Sequence, residues 1–192
     1  MVRGAVWFRS DLRTDDNPAL LDATNSCEEV IGIYIFSENQ WALHNESNIK
    51  HEFLLNNLNK LEKSLNELNI PLIAVNAESF KSLHIDLSSL VTQHNINHIF
   101  WNKEFGVNEV DRDNKVIESL KKINVSSSSY HDQVIYEPGF LKTGQGKPFS
   151  VFTPYKRRWV ENFSMDFLDL KKPKAVQKFT AIKSSLSSLK FK

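Results

Sequence analysis

The 192-residue sequence is 41% apolar and 24% charged, with a formal net charge of +1. That balance suits one domain, or one domain with a tail, and excludes wholesale disorder and a general polyanion-binding coat. Cys27 is the single cysteine, so neither an internal disulfide nor a cysteine-built zinc site can form. The first apolar run is too short and too soon charged for a signal peptide. No stretch approaches the roughly 20 apolar residues of a membrane span, so a reducing, cytoplasmic setting is expected.

Residues 5–8 read as a buried strand, followed by five charges in eight positions: Arg9, Asp11, Arg13, Asp15 and Asp16. Asn17-Pro18 predicts a helix start, since Asn can cap and Pro tolerates the first turn. "VIGIYIF" (30–36) is unbroken and β-branched, as expected of a strand covered on both faces. In residues 46–69, Leu54, Leu58, Leu61, Leu65 and Leu68 form one apolar helical stripe, suited to packing on a sheet. A third strand is expected over 71–77, a helix over 79–94 and a fourth strand over 98–102. A further helix begins near Asn108, and a weaker fifth strand, over 125–132, carries a serine run. Thr153-Pro154 opens a last helix; Lys156, Arg157 and Arg158 could meet phosphates, but the favoured reading packs Tyr155 and Trp159 inward and leaves the basic residues facing water or a following domain. After Met165 the sequence turns Lys- and Ser-rich, which divides it into a domain at 1–165 and a linker or tail at 166–192. Alternation of strands with helical crossovers predicts an α/β fold: a doubly wound, Rossmann-like, five-stranded parallel sheet with helices on both faces.

Ligands of such sheets bind beyond the carboxyl ends of the strands, where strand order reverses. The first and fourth strands are expected side by side there. Their loops, 9–17 and 102–113, are dense in charge and would rim one crevice. There is no G-x-G-x-x-G, P-loop, G-x-S-x-G or H-E-x-x-H, and the six histidines are scattered. Glu104 and Glu109 could accept from the N–H edge of a heterocycle, or could pair with Arg9, Arg13 or Arg112; both readings stand at this stage.

Three stretches together resemble the DNA photolyase and cryptochrome family: "VWFRSDLRTDDNPAL", "WNKEFGVNEVDRD" and "EPGFLKTGQGKPFSVFTPYKRRW". "QWALHN" (40–45) adds a fourth match, nearest to bacterial class I cyclobutane pyrimidine dimer photolyases. The resemblance implies an antenna chromophore on this domain: methenyltetrahydrofolate, or alternatively a deazaflavin or FMN. It places Asn108 and Glu109 at the pterin of folate users, and Phe8, Arg9 and Asp11 at the buried pocket of deazaflavin and flavin users. Glu104 joins them as a candidate cofactor residue. The resemblance further implies a catalytic FAD in a helical domain that follows, expected to lie beyond residue 192. Pyrimidine-dimer DNA would then be the partner of the intact protein, with little DNA binding and no repair from this chain alone. Helix 153–163 should leave apolar surface for that domain, involving Trp159 and Phe163. Two other functions fit the same architecture: a stand-alone nucleotide, small-ligand or interaction module, and a cryptochrome-type light-signalling fragment.

Overall fold

The computed structural model describes residues 2–176 and 182–186. Five strands form one all-parallel sheet: β1 (Arg3–Phe8), β2 (Glu29–Phe36), β3 (Leu72–Asn76), β4 (His98–Asn102) and β5 (Ser126–Tyr130). Their spatial order is β3-β2-β1-β4-β5. The order therefore reverses between β1 and β4, as expected for a doubly wound sheet.

Side chains alternate across the sheet and feed two cores. From β1, Val6 and Phe8 enter one core, with α1 (Pro18–Ser26) and α3 (Asn48–Glu67). Ala5 and Trp7 enter the other, with α4 (Leu83–Gln93) and α5 (Val107–Lys122). All eight residues of β2 are buried, which is why its sequence shows no alternation. The α3 stripe buries Leu58, Leu61 and Leu65, with Leu54 and Leu68 at its border. Asn17 caps α1: its side chain accepts from Leu20 N at 3.0 Å, and Pro18 takes the first turn.

A six-residue helix that the periodicity did not predict, α2 (Glu38–Leu43), follows β2 and is capped by Ser37. It is too short to show an apolar period. The last helix, α6 (Phe152–Asn162), buries none of its residues. Tyr155 is therefore not packed inward as expected; it remains exposed, with its ring against Phe149. Trp159 is half-buried, stacked on Phe163 at 5.2 Å and edge-on to Tyr136 at 5.6 Å. The exposed apolar surface of this region belongs instead to residues such as Val151, Phe152, Val160, Met165, Leu168 and Leu170.

Among the described residues, no helix is long and apolar enough to cross a membrane.

Candidate functional site

The loops after β1 and β4 meet at the carboxyl end of the sheet, where β1 and β4 lie side by side. The opening charges of the sequence hold that junction together. Arg9 Nη1 donates to both carboxylate oxygens of Asp113, at 2.7 and 2.9 Å, and Arg9 Nη2 donates to the Asn102 carbonyl. Arg112 donates to Asp113 at 2.8 Å and to Glu104 at 3.0 Å. Ser10 Oγ donates to the other Glu104 oxygen at 2.7 Å. Two guanidiniums thus face two carboxylates in a nearly closed, buried set, the arrangement that makes buried charge tolerable. Both guanidiniums also lie over the Trp7 ring, at 5.0 and 4.8 Å, and Arg112 reaches over Phe80 at 5.1 Å.

Asp11 is mainly a loop brace. Its carboxylate accepts from Arg9 N at 2.8 Å, Asn102 Nδ2 at 2.6 Å and Asn17 Nδ2 at 3.2 Å. Asn102 also bonds Asn17 Oδ1 at 2.9 Å and accepts from Ala19 N, so the end of β4 is tied to the start of α1. Arg13 pairs with Asp132 beyond β5 rather than with Glu104 or Glu109.

The charges of this set shift as their surroundings require. Burial and the neighbouring Arg112 lower the pKa of Arg9, against the pull of Asp113 and Glu104. Burial works to raise Glu104, but Arg9, the Ser10 hydroxyl and Arg112 together outweigh it and hold that carboxyl below its ordinary value.

A cleft of about 1110 Å³ opens above this set. Arg9, Asp11, Glu104, Asn108 and Glu109 all line it, so the structure brings five of the six expected site residues together. Phe8 is not among them. It is fully buried in the core shared with α1 and α3, although Tyr34, its partner on β2 in the same core, reaches the cleft. Trp7, one residue earlier, lines the cleft.

The rim and the depth of the cleft differ in chemistry. Asn108 and Glu109 occupy the first turn of α5, with Asn108 exposed. Glu109 turns back over Gly106: a Cβ at that glycine would stand 2.0 Å from Glu109 Oε2. Among the described residues Glu109 has no ion pair, and its place near a helix N-terminus suits a carboxylate. Deeper in, Tyr34 and Phe36 of β2 and Trp41 of α2 follow one another. Phe36 stacks on Trp41 at 5.3 Å, and Trp41 on His51 at 4.3 Å. Sequence reading missed this aromatic wall. Tyr34 and Phe36 look like ordinary core residues of a buried strand, and only the α2 turn brings Trp41 over them. The one available signal was Trp41 within "QWALHN".

The family model described as DNA photolyase matches residues 5–177. The chain belongs to the DNA photolyase family. It is 32% identical over 171 residues to a deoxyribodipyrimidine photo-lyase of Vibrio cholerae, covering 89% of this chain and 36% of that protein. With the deoxyribodipyrimidine photo-lyase of Escherichia coli K12 it shares 36% identity over 162 residues, covering 84% of this chain and 34% of that protein. The chain thus spans about a third of the length of these photolyase relatives. An archaeal photolyase from Sulfolobus tokodaii, solved with two FAD molecules, superposes with a TM-score of 0.76 at 18% identity, over 97% of this chain and 40% of that one. At that identity the likeness is one of fold.

Proposed function

We propose that this chain is the antenna-chromophore domain of a deoxyribodipyrimidine photolyase, residues 1–165, with 166–192 leading toward a helical flavin domain of the kind the family resemblance implies. The observation that carries this reading is the cleft at the β1/β4 junction. Its rim offers an amide and a free carboxylate, and its depth offers flat aromatic faces. A planar heterocycle needs that combination: polar groups to fix its edge and apolar groups to cover its face.

The residues fit a pterin at the rim. Asn108 and Glu109 can bond its N–H edge, while Glu104 is already engaged with Ser10 and Arg112. Methenyltetrahydrofolate held there would absorb near-UV or blue light and pass the excitation on. The role of this chain is to bind, orient and shield it. Light-driven repair of pyrimidine-dimer DNA, using FAD, is an activity of the intact protein. Neither repair nor strong DNA binding is expected of these 192 residues alone, and the expected setting is the cytoplasm.

A second chromophore reading has its own support. The cleft extends past the rim to Tyr34, Phe36, Trp41 and His51, an aromatic lining suited to a tricyclic deazaflavin or FMN. The Sulfolobus tokodaii photolyase, with its two FAD molecules, is itself described as implying a novel light-harvesting cofactor. A nucleotide-binding module is less well supported, since the first crossover has no glycine-rich turn to approach a pyrophosphate.

The test is titration of the purified chain with methenyltetrahydrofolate, deazaflavin and FMN, read by absorbance and fluorescence. Loss of one charge-assisted bond should weaken folate binding roughly 10- to 100-fold in Glu109→Ala. Trp41→Ala should instead spare folate and abolish binding of a tricycle seated on the aromatic lining. Failure of all three ligands, with the chain folded, would refute a self-sufficient antenna domain.

A further inference from the structure

We infer that residues 182–186 are a strap that masks the free edge of β3 and keeps the chain from pairing there with a second copy of itself. The β3 strand bonds β2 on one side only, in the register Gly32–Leu72 to Phe36–Asn76. Its other side presents main-chain groups without a strand partner among the described residues, and the strand itself is apolar and β-prone, "LIAV" from 72 to 75. Uncovered, such an edge is a template for strand addition. The opposite edge, β5, is four serines and a tyrosine and carries little of that hazard.

The masking is done largely by side chains. Leu72 N donates to Ser184 Oγ at 3.0 Å, and Ala74 N donates to Ser185 Oγ at 2.9 Å. Ser185 N donates to Leu72 O at 3.1 Å, and Ser185 Oγ to Ala74 O at 3.3 Å. Hydroxyls satisfy the edge without building a sixth strand.

The strap is anchored on both faces of the sheet. Leu186, like Val176 before the strap, is buried in the core that contains Leu65 and Leu72, whereas Ile182 packs against the opposite core. Val176 N donates to Leu68 O at 3.1 Å, and Asn69 Nδ2 donates to the Val176 carbonyl at 3.1 Å. Earlier in the chain, Asp16 N donates to Lys171 O at 3.2 Å, so the stretch after α6 also touches the loop after β1.

Once released, two β3 edges can meet about a two-fold axis, antiparallel, because the same patch serves both copies. The test uses the full chain with Ser184→Ala, Ser185→Pro and Leu186→Asp, which remove all four edge bonds and draw the anchor into water. Two readouts are combined: sedimentation velocity across concentration, and hydrogen exchange at the Leu72 and Ala74 amides. In the wild type both amides should exchange slowly at every concentration. In the variant they should exchange at least roughly tenfold faster when dilute, then become protected again as a dimer forms. Three results would overturn the inference: amides still protected in the dilute variant, a variant that stays monomeric with both amides open when concentrated, or association that leaves them open. If the β2 amides also lose protection, the variant has unfolded. The milder pair Ser184→Ala and Ser185→Ala, with the anchors intact, then decides through the same two amides.

Discussion

Replacing Asp113 with Ala tests whether the charged set beneath the cleft supports the fold. Asp113 accepts from Arg9 Nη1 through both oxygens, from Arg112 Nε and Nη2 at 3.0 and 2.8 Å, and from Trp101 Nε1 at 3.2 Å. The Arg9 and Asp113 side chains are only 5% and 12% exposed, so water cannot readily replace what is lost. Without Asp113, Glu104 alone faces two buried guanidiniums, from 3.6 Å at Arg9 and 3.0 Å at Arg112. Breaking a buried pair by removing one partner costs about 3–5 kcal/mol, because the surviving charge stays desolvated. A domain's whole stability is about 5–15 kcal/mol, so the loss should be conspicuous. At roughly 2–4 °C per kcal/mol for a chain of this size, the melting temperature should fall by about 6–20 °C. Urea unfolding followed by circular dichroism measures the cost, and an unchanged m-value shows that two-state folding is intact. Arg9→Ala in the same background should cost less than it does alone, since its partner is already gone. A loss below about 1 kcal/mol for Asp113→Ala, the range of an exposed ion pair, would refute the account of a closed, desolvated set.

Glu104 gives a prediction with a sign. Its folded pKa lies below the ordinary value of 4.5, so the stability it adds is present above that pH and lost as pH falls through the lower folded value. Glu104→Gln should flatten the acid limb of a stability–pH profile below about pH 4.5, and an unaltered limb would contradict the assignment. Asn17→Ala removes the α1 cap and the partner of Asn102 Nδ2, so urea unfolding should show a loss of about 1–2 kcal/mol. The exposed apolar residues around α6 should bind a hydrophobic dye. Phe152→Ser with Leu170→Ser should reduce that fluorescence, and an unchanged signal would place the accessible apolar surface elsewhere.

The strands and the long helices could be read directly because burial imposes local patterns. A strand covered on both faces, such as β2, must be apolar throughout, and α3 must repeat its leucines every three or four residues. The Asn17-Pro18 start of α1 follows from elementary capping chemistry. The rim of the candidate site was legible for a related reason: the usual order of a five-stranded doubly wound sheet puts the first and fourth strands side by side, and strand order sets which two loops meet. Which residues turn toward the cleft was a matter of tertiary structure. Phe8 is closed into the core beneath α1 and α3 while Tyr34, its partner on β2, reaches the cleft, and α2 folds Trp41 over Phe36 although neither residue announces the contact. The pairing within the charged set, with Arg9 and Arg112 on Asp113 and Arg13 diverted to Asp132, depends on distances between loops far apart in sequence. The serines at 184 and 185 carry no local signal at all: a hydroxyl becomes an edge cap only where a strand's unpaired amides happen to face it.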